Sequence, residues 1–278
     1  MTLTHAKLQI LVDNRAEGGL EKEHGLSMWI EVDGRKILFD TGTGKILESN
    51  ARKLGIDVHS ADHLVLSHGH YDHTGGVSHF LQHTRQSHVY SHPGAVMPRY
   101  AIRNGSATPI HMPHDSIAAM NKLSERRLHW LQEPLDLSEH VGLTGPIPRK
   151  MSFEDTGGPF YLDPEGKRPD PIDDDMALWI RTKKGLVVVT GCCHAGLVNT
   201  LDTIFHLNNG IKICALVGGF HLMGAAPLRL QLTMQALQLF DIDLLVPCHC
   251  TGQGAVELLK KTFDIRVSPG AAGKLLQF

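Results

Sequence analysis

Residues 67–76 read Ser67-His68-Gly69-His70-Tyr71-Asp72-His73-Thr74-Gly75-Gly76, and this segment decides the fold. It places three imidazoles and one carboxylate within six residues, from His68 to His73. Zinc, iron and manganese prefer nitrogen and oxygen donors of this kind. The apolar run at 61–67 leads into the segment, so a strand ending here can direct alternate side chains toward one point.

We therefore predict a metal centre in which His68 and His70 share one ion, while Asp72 and His73 face a second. Gly69 and the pair Gly75-Gly76 let the backbone turn tightly on either side of the ligands. The competing interpretation is a loop of solvated histidines without a metal.

Histidine is unusually frequent in this chain, which contains nineteen of them. Histidine is a good metal ligand but is seldom fully buried in an apolar core. Many of the histidines stand alone in the sequence, and we interpret them as solvated side chains; they are His5, His79, His83, His129, His140 and His206. That interpretation does not account for the clustered histidines.

The residues around the histidine cluster alternate between short apolar runs and turn signals. Asp33-Gly34 joins two β-compatible runs and predicts a tight hairpin. Gly55 predicts the end of a helix. The predicted strands are 8–12, 27–32, 35–40, 61–67 and 87–90, and the predicted helices are 44–54 and 77–82.

The last hundred residues alternate regularly between strand and helix patterns. The predicted strands are 177–181, 185–190, 211–217 and 243–246, and the predicted helices are 197–207, 228–240 and 254–263. The last three of these strands lead into loops that carry histidine or cysteine, which is where layered α/β enzymes place their chemistry. The pattern predicts an α/β (α+β) fold, a four-layer αββα sandwich, as a single domain over 1–278.

Residues from about 93 to 174 differ from both flanking parts, because they hold eleven of the fourteen prolines. The strongest helical pattern in this stretch is 116–130. Apolar anchors such as Trp130 and Phe160 argue against a disordered linker. Long irregular segments in compact domains are commonly functional. We predict a folded, lid-like insertion that covers one face of the domain.

The bulk composition limits the classes of partner. The formal net charge is −2 and the basic residues are scattered, so we expect neither a nucleic acid nor an anionic membrane as partner. Residues 1–7 show no signal-peptide pattern, and no apolar run is long enough to span a bilayer. Five cysteines, an odd number, argue against a disulfide framework. A cytoplasmic protein is expected, and a homo-oligomer is compatible with the sequence.

His-x-His-x-Asp-His after an apolar strand resembles the signature of the metallo-β-lactamase superfamily. Five further segments resemble one subfamily, named after 7,8-dihydropterin-6-methyl-4-(β-D-ribofuranosyl)aminobenzene-5′-phosphate synthase. They are Glu23-His24-Gly25-Leu26-Ser27, Ile37-Leu38-Phe39-Asp40-Thr41-Gly42, Gly191-Cys192-Cys193-His194-Ala195-Gly196, Gly218-Gly219-Phe220-His221 and Pro247-Cys248-His249-Cys250-Thr251-Gly252. The resemblance spans nearly the whole chain, from Val12 onward, and it implies the same αββα sandwich.

The resemblance implies two further ligands in loops that follow strands. His194 is assigned to the ion of His68 and His70, and His249 to the ion of Asp72 and His73. We call the segment 67–76 the ligand loop. Asp40 is expected to hold this loop by hydrogen bonds rather than to bind metal. An Asp40 that only caps a helix or turn is the alternative, and both roles are compatible.

Cys192 marks a departure from the superfamily, which usually has a metal-bridging aspartate at this point. Either the Cys192 thiolate is a ligand, or the bridge is absent and one ion is held more weakly. We favour the second, asymmetric arrangement. The adjacent Cys193 is interpreted as a buried structural cysteine as readily as a functional one.

Three further residues are candidates for substrate contacts. Gly219 and His221 follow a predicted strand and offer a backbone N–H and an imidazole to an anion. The alternative interpretation is that these two residues only form a tight turn between strand and helix and do not contact a substrate. Arg149 in the insertion is a candidate for phosphate, because guanidinium groups bind phosphate in a bidentate manner.

These expectations combine into a metal-dependent hydrolase that uses metal-activated water. The cofactor is one or two divalent ions, with zinc favoured over iron and manganese. Asp72 and His221 are the expected catalytic groups, and a small phosphorylated molecule is the expected substrate. One alternative is a synthase-like transferase that releases pyrophosphate, and another is a non-catalytic, metal-containing ligand sensor.

Overall fold

The computed structural model describes residues 5–278. Met1–Thr4, where part of the signal-peptide prediction falls, lie outside the described residues. Within 5–278, no helix has the length and apolar character needed to cross a membrane.

Sixteen strands are present in the described residues. They are β1 (Lys7–Val12), β2 (Ser27–Val32), β3 (Arg35–Phe39), β4 (His63–Val65), β5 (His88–Ser91), β6 (Tyr100–Arg103), β7 (Ser106–Pro109), β8 (Leu128–Trp130), β9 (Leu135–Asp136), β10 (Val141–Leu143), β11 (Phe160–Tyr161), β12 (Ala177–Thr182), β13 (Gly185–Thr190), β14 (Ile213–Gly219), β15 (Leu244–Cys248) and β16 (Leu275–Gln277).

Seven α-helices accompany these strands in the part of the chain that is described. They are α1 (Leu47–Lys53), α2 (Tyr71–Thr74), α3 (Val77–His83), α4 (His114–Met120), α5 (Leu197–Leu207), α6 (Pro227–Phe240) and α7 (Gln253–Phe263). Short 3₁₀ turns occur at Val58–Ser60, Pro93–Val96, His249–Thr251 and Asp264–Arg266.

The strands form two large sheets and one small one. The first sheet has the order β16-β1-β2-β3-β4-β5-β8, and its strands run parallel from β3 to β8. The second has the order β15-β14-β13-β12-β10-β9 and is parallel from β13 to β15. The third, β11-β6-β7, is antiparallel. The β2–β3 hairpin turns at Asp33 and Gly34, which both have positive φ as a two-residue turn of this kind requires.

The apolar residues pack in three clusters that define the layers. One cluster joins side chains of both large sheets, including Phe39 and Val189. A second lies between the second sheet and helices α5, α6 and α7. The third lies between the first sheet and helices α1, α3 and α4. Alternate side chains of a strand point to opposite faces, so each large sheet contributes to two clusters.

The main departures from the sequence-based elements fall between residues 93 and 174. The helix predicted over 116–130 is wrong beyond Met120, because Leu128–Trp130 pairs with β5 as an edge strand. The same stretch supplies β9 and β10 to the second sheet and all three strands of the small sheet. Pairing with distant strands gives this segment more regular structure than its local sequence pattern indicates.

Candidate metal centre

The histidine-bearing loops meet at one edge of the two large sheets. His68 and His70 follow β4, while His194 follows β13. His249 opens the 3₁₀ turn after β15. Because β13, β14 and β15 run parallel, the loops at their carboxyl ends emerge on the same side. The fold therefore brings together residues that lie up to 181 positions apart in sequence, from His68 to His249.

Three imidazoles form the first half of the centre. The Nε2 atom of His68 lies 3.0 Å from Nδ1 of His70. The ring centre of His194 lies 4.8 Å from the ring centres of both His68 and His70. His194 donates its Nδ1 hydrogen to the carbonyl of Thr156 at 2.7 Å, which leaves the Nε2 lone pair free.

Two buried nitrogen atoms in this half have no hydrogen-bond partner, Nε2 of His70 and Nε2 of His194. Burial, reinforced by a neighbouring cationic group in each case, lowers the pKa of His70 to about 3 and that of His194 well below its usual value. Neutral imidazoles with unpartnered lone pairs are the state in which histidine binds a metal. The residues therefore fit a divalent transition-metal ion.

Asp72 is the meeting point of the second half. One carboxylate oxygen lies 3.1 Å from Nε2 of His249 and 3.8 Å from Nε2 of His73. Burial acts to raise the pKa of Asp72, but His73 and hydrogen bonds from the other imidazoles outweigh it and hold the pKa well below its usual value. Asp72 is therefore an anion in this cluster and can serve as an oxygen ligand.

His24 also reaches this carboxylate, with its Nε2 atom 3.2 Å from Asp72. Its sequence segment carries part of the family resemblance, but the residue was not among the predicted ligands. His24 is solitary in sequence and half-exposed, so neither spacing nor burial distinguishes it before the fold is known. Asn14 was missed as well, and its side-chain oxygen accepts the Nδ1 hydrogen of His249 at 2.8 Å.

Cys192 lies between the two halves. Its sulfur is 3.2 Å from Nε2 of His73 and groups with His68 and His194 on one side and with His73 and His249 on the other. The sulfur is therefore within reach of both groups of donor atoms. Burial raises the pKa of Cys192 well above its usual value, so the thiol keeps its proton unless a bound cation displaces it.

Asp40 holds the ligand loop in place. One carboxylate oxygen accepts the Ser67 backbone N–H, and the other accepts the Ser67 hydroxyl and the His73 Nδ1–H, each at 2.7 Å. Asp40 is fully buried and has a positive φ of 59°, which is uncommon for a residue with a side chain. The hydrogen bond to His73 keeps the proton on Nδ1 and leaves Nε2 to face the centre.

A second buried carboxylate, Asp174, fixes the loop from the side of residues 93–174. It accepts the Gly69 backbone N–H at 2.8 Å and pairs with the buried guanidinium of Arg99. A side chain at position 69 would meet the backbone oxygen of Ala95 at 2.0 Å, so only glycine fits there. The ligand loop thus depends on contacts from the predicted insertion.

A cavity of about 320 Å³ opens onto the centre. The small sheet covers it, through Ala101 and Arg103 of β6, Thr108 of β7 and Phe160 of β11. The volume is at the small end of those typical for ligand sites. In the described residues, Arg103 is the one arginine or lysine that lines this cavity.

The predicted substrate residues are placed differently from one another. His221 lines the cavity with its ring 4.3 Å from that of His194, and its Nδ1 atom is buried without a partner. The prediction for Gly219 is wrong, because Gly219 does not line the cavity and its backbone N–H donates to the Gly191 carbonyl at 3.0 Å. A side chain at this position would meet the Cys250 sulfur at 2.6 Å. Arg149 is exposed, donates to the carbonyl of Pro171, and does not line the cavity.

Asp175 adds an ionisable group behind the centre that the sequence did not single out. Its carboxylate accepts the Ala195 backbone N–H at 2.7 Å, and burial raises its pKa to about 7. The folded chain therefore retains a proton that the unfolded chain loses near pH 4, so this group reduces stability progressively as pH rises toward 7.

We expect Asp175→Asn to stabilise chelator-treated protein more at pH 8 than at pH 5, by at least about 1 kcal/mol. The asparagine stays neutral and keeps an oxygen for the Ala195 N–H. Urea denaturation of both chains at the two pH values measures the difference. If Asp175→Asn changed the free energy of unfolding by the same amount at pH 5 and pH 8, the Asp175 carboxyl would not be the group whose pKa is raised.

The chain is similar to proteins of known sequence over almost its whole length. The model of the metallo-beta-lactamase superfamily matches residues 21–189. A 7,8-dihydropterin-6-methyl-4-(beta-D-ribofuranosyl)-aminobenzene-5′-phosphate synthase of Methanocaldococcus jannaschii is 30% identical, over 92% of this chain and 90% of the relative. An uncharacterised protein of the same organism is also 30% identical, over 91% of this chain and 94% of the relative.

A solved structure supports the same relationship. A crystal structure described as a metal-dependent hydrolase of the beta-lactamase superfamily superposes with a TM-score of 0.82 at 30% identity, covering 98% of each chain. The fold alone is shared with the metallo-beta-lactamase fold protein YhfI from Bacillus subtilis, with a TM-score of 0.57 at 13% identity over 99% and 100% of the chains.

Proposed function

The chain belongs to the metallo-beta-lactamase superfamily, and from this membership we propose that it is a metal-dependent hydrolase that cleaves a phosphate ester of a small molecule. One observation carries the proposal. One small cavity is lined by two imidazoles with unpartnered nitrogen atoms, those of His70 and His194. The Asp72 carboxylate and the Cys192 sulfur line the same cavity. Donor sets of this type hold divalent ions in hydrolases.

The protein residues have separate roles in this mechanism. His68, His70 and His194 would hold one ion, and Asp72, His73 and His249 a second, with Cys192 between them. A bound divalent ion lowers the pKa of water toward neutrality and draws charge from a phosphoryl oxygen. Asp72 accepts hydrogen bonds and can orient the attacking water. His221 lies beside His194 and can donate to the phosphoryl oxygens as charge grows on them.

Arg103 is the main support for an anionic substrate. It lies at the end of β6, in the sheet that covers the cavity, and it lines the same cavity as His70 and His194. A guanidinium group can bind two phosphate oxygens at once. Among the described residues, Arg103 is the one permanently charged cation that lines the cavity. This proposal replaces Arg149 with Arg103 as the phosphate contact.

We expect Arg103→Ala to raise KM for a phosphorylated substrate by about 10- to 100-fold, because a hydrogen bond to a charged group contributes about 1.5–3 kcal/mol. The metal content should not change. Arg149→Ala is the matched control, since it removes the same side chain from outside the cavity. Steady-state kinetics of both variants make the test, and equal effects of the two changes would exclude Arg103 as the phosphate contact.

A second candidate is a synthase-like transfer that releases pyrophosphate. The 30% identity to the Methanocaldococcus jannaschii synthase over 92% of the chain favours it. Besides the histidines, the cavity offers the aromatic rings of Tyr71 and Phe160, on which a pterin could stack. This reaction would use the same donor set and would differ in the second substrate.

The two candidates are separated by one pair of assays on the same preparation. Protein prepared without chelator is supplied with a panel of phosphate mono- and diesters, and separately with a dihydropterin diphosphate and a ribofuranosylaminobenzene phosphate. Release of orthophosphate or alcohol from the esters, lost on chelation, supports the hydrolase. Pyrophosphate release that requires both pterin and ribotide, with no ester turnover, would replace it with the transferase.

A further inference from the structure

A second group of metal-binding residue types lies on the outer face of the first sheet, away from the candidate metal centre. It consists of Glu48 on α1, His59 in the 3₁₀ turn Val58–Ser60, and His79 and His83 on α3. One donor atom from each residue lies within 4.8 Å of the others. These residues come from three separate segments, so their convergence is a product of the fold. We call this group the α1–α3 cluster.

The carboxylate of Glu48 is the centre of the cluster. The same oxygen atom lies 2.7 Å from Nε2 of His59 and 2.6 Å from Nε2 of His79. Burial acts to raise the pKa of Glu48, but the two imidazoles outweigh it and lower the pKa. Glu48 is therefore ionised and supplies the anionic oxygen that a cation needs.

His83 has one nitrogen atom whose lone pair is free to bind an ion. Its Nδ1 atom lies 2.9 Å from the carbonyl oxygen of His79 one helical turn earlier, and it donates its hydrogen there. That hydrogen bond places the free lone pair on Nε2. Histidine ligands commonly donate their second N–H to a backbone carbonyl in this way. His79 and His83 are four residues apart on α3, so their side chains lie on one face of the helix.

The rings of the three histidines are packed close together. The ring centres of His79 and His83 are 4.4 Å apart, and those of His59 and His83 are 5.0 Å apart. Nδ1 of His59 is buried without a hydrogen-bond partner. Glu48, His79 and His83 are solvent-exposed, so an ion can reach the cluster from solution.

We propose that Glu48, His59, His79 and His83 form a separate binding site for one divalent transition-metal ion, zinc by preference. Three imidazole nitrogens and one carboxylate oxygen match the four-coordinate sites of zinc, and they exclude the all-oxygen shells of calcium and magnesium. The interpretation of His79 and His83 as isolated solvated side chains is replaced by this proposal.

A bound ion would join α1, the 3₁₀ turn and α3. Helix α3 begins at Val77, directly after the ligand loop, which ends at Gly76. The site would therefore stabilise the framework behind the candidate metal centre without contacting its cavity. Its expected effect is on stability and not on turnover.

The test counts zinc in the full chain at a fixed, low free zinc concentration by equilibrium dialysis and elemental analysis. His79→Gln/His83→Gln should bind one equivalent less than wild type and keep its hydrolytic activity. His206→Gln is the matched control, because His206 is also an exposed helical histidine whose Nδ1 atom bonds to the carbonyl four residues earlier, at 2.7 Å. It should bind as much zinc as wild type.

A thermal measurement gives an independent readout. Zinc at about a hundredfold excess over its dissociation constant should raise the melting temperature of wild type by roughly 3–6 °C more than that of the double variant. Glu48→Gln/His83→Gln, which changes two different helices, should behave as the first double variant does. Equal zinc content and equal thermal shifts in wild type and both double variants would overturn the proposal and leave a solvated histidine cluster.

Discussion

Asp72→Asn is expected to lower kcat/KM by at least about 1,000-fold and to reduce the metal content of the centre, because the ionisation of water at neutral pH depends on a bound cation. The Asp72 carboxylate is the one anionic oxygen on which His24, His73 and His249 converge. Asparagine keeps the shape of the side chain but removes its charge. Steady-state kinetics and elemental analysis of the same preparation measure both effects.

His24→Gln provides the graded control for this prediction. His24 contacts the same carboxylate but is half-exposed, so we expect its loss to weaken activity by about tenfold or less. A fall as large as that of Asp72→Asn would make His24 a metal ligand in its own right. Full activity and full metal content in Asp72→Asn would contradict the assignment of Asp72.

Asp40→Ala is expected to have the second-largest effect, on stability as well as on metal content. It removes a fully buried carboxylate and leaves the Ser67 N–H, the Ser67 hydroxyl and the His73 Nδ1–H without their acceptor. Each unpaired buried donor costs about 1–3 kcal/mol, so the loss of three acceptor contacts should lower the free energy of unfolding by at least about 3 kcal/mol. Urea denaturation with and without added metal measures it.

Asp40→Asn separates the two roles of this residue. The amide can still bond to Ser67, so we expect most of the stability to remain. Its N–H₂ group would favour the His73 tautomer that carries hydrogen on Nε2, which faces the Cys192 sulfur and the centre. Metal affinity should therefore fall by about 10- to 100-fold. An asparagine variant that is as unstable as Asp40→Ala yet binds metal normally would reduce Asp40 to a structural residue.

The sequence predicts that the contiguous histidines lie close together, and the structure places them so, with ring centres of His68 and His70 4.6 Å apart and those of His68 and His73 4.3 Å apart. His68, His70 and His73 lie within six residues after an apolar strand, so local spacing alone brings them together. The regular α/β alternation at the carboxyl end fixes several helix bounds, and α5 spans Leu197–Leu207 as predicted. The fold class is confirmed by the superfamily match and the solved relative.

The parts that local sequence does not reveal all depend on long-range contacts. His24 and Asn14 are single polar residues in loops, and only the pairing of the first strands brings them to Asp72 and His249. Both arginines are exposed, but the small sheet places Arg103 on the lining of the cavity, whereas Arg149 in the same stretch does not line it. Residue type alone does not distinguish two arginines.

Elemental analysis of protein purified without chelator shows whether the candidate centre holds metal. His79→Gln/His83→Gln is the chain to use, because any metal that it retains belongs to the candidate centre and not to the α1–α3 cluster. We expect one to two equivalents of zinc, iron or manganese per chain, and a clear loss when His70 or His73 is additionally replaced with alanine. A chain that is folded, metal-free as purified and still metal-free after reconstitution with each ion would contradict this expectation.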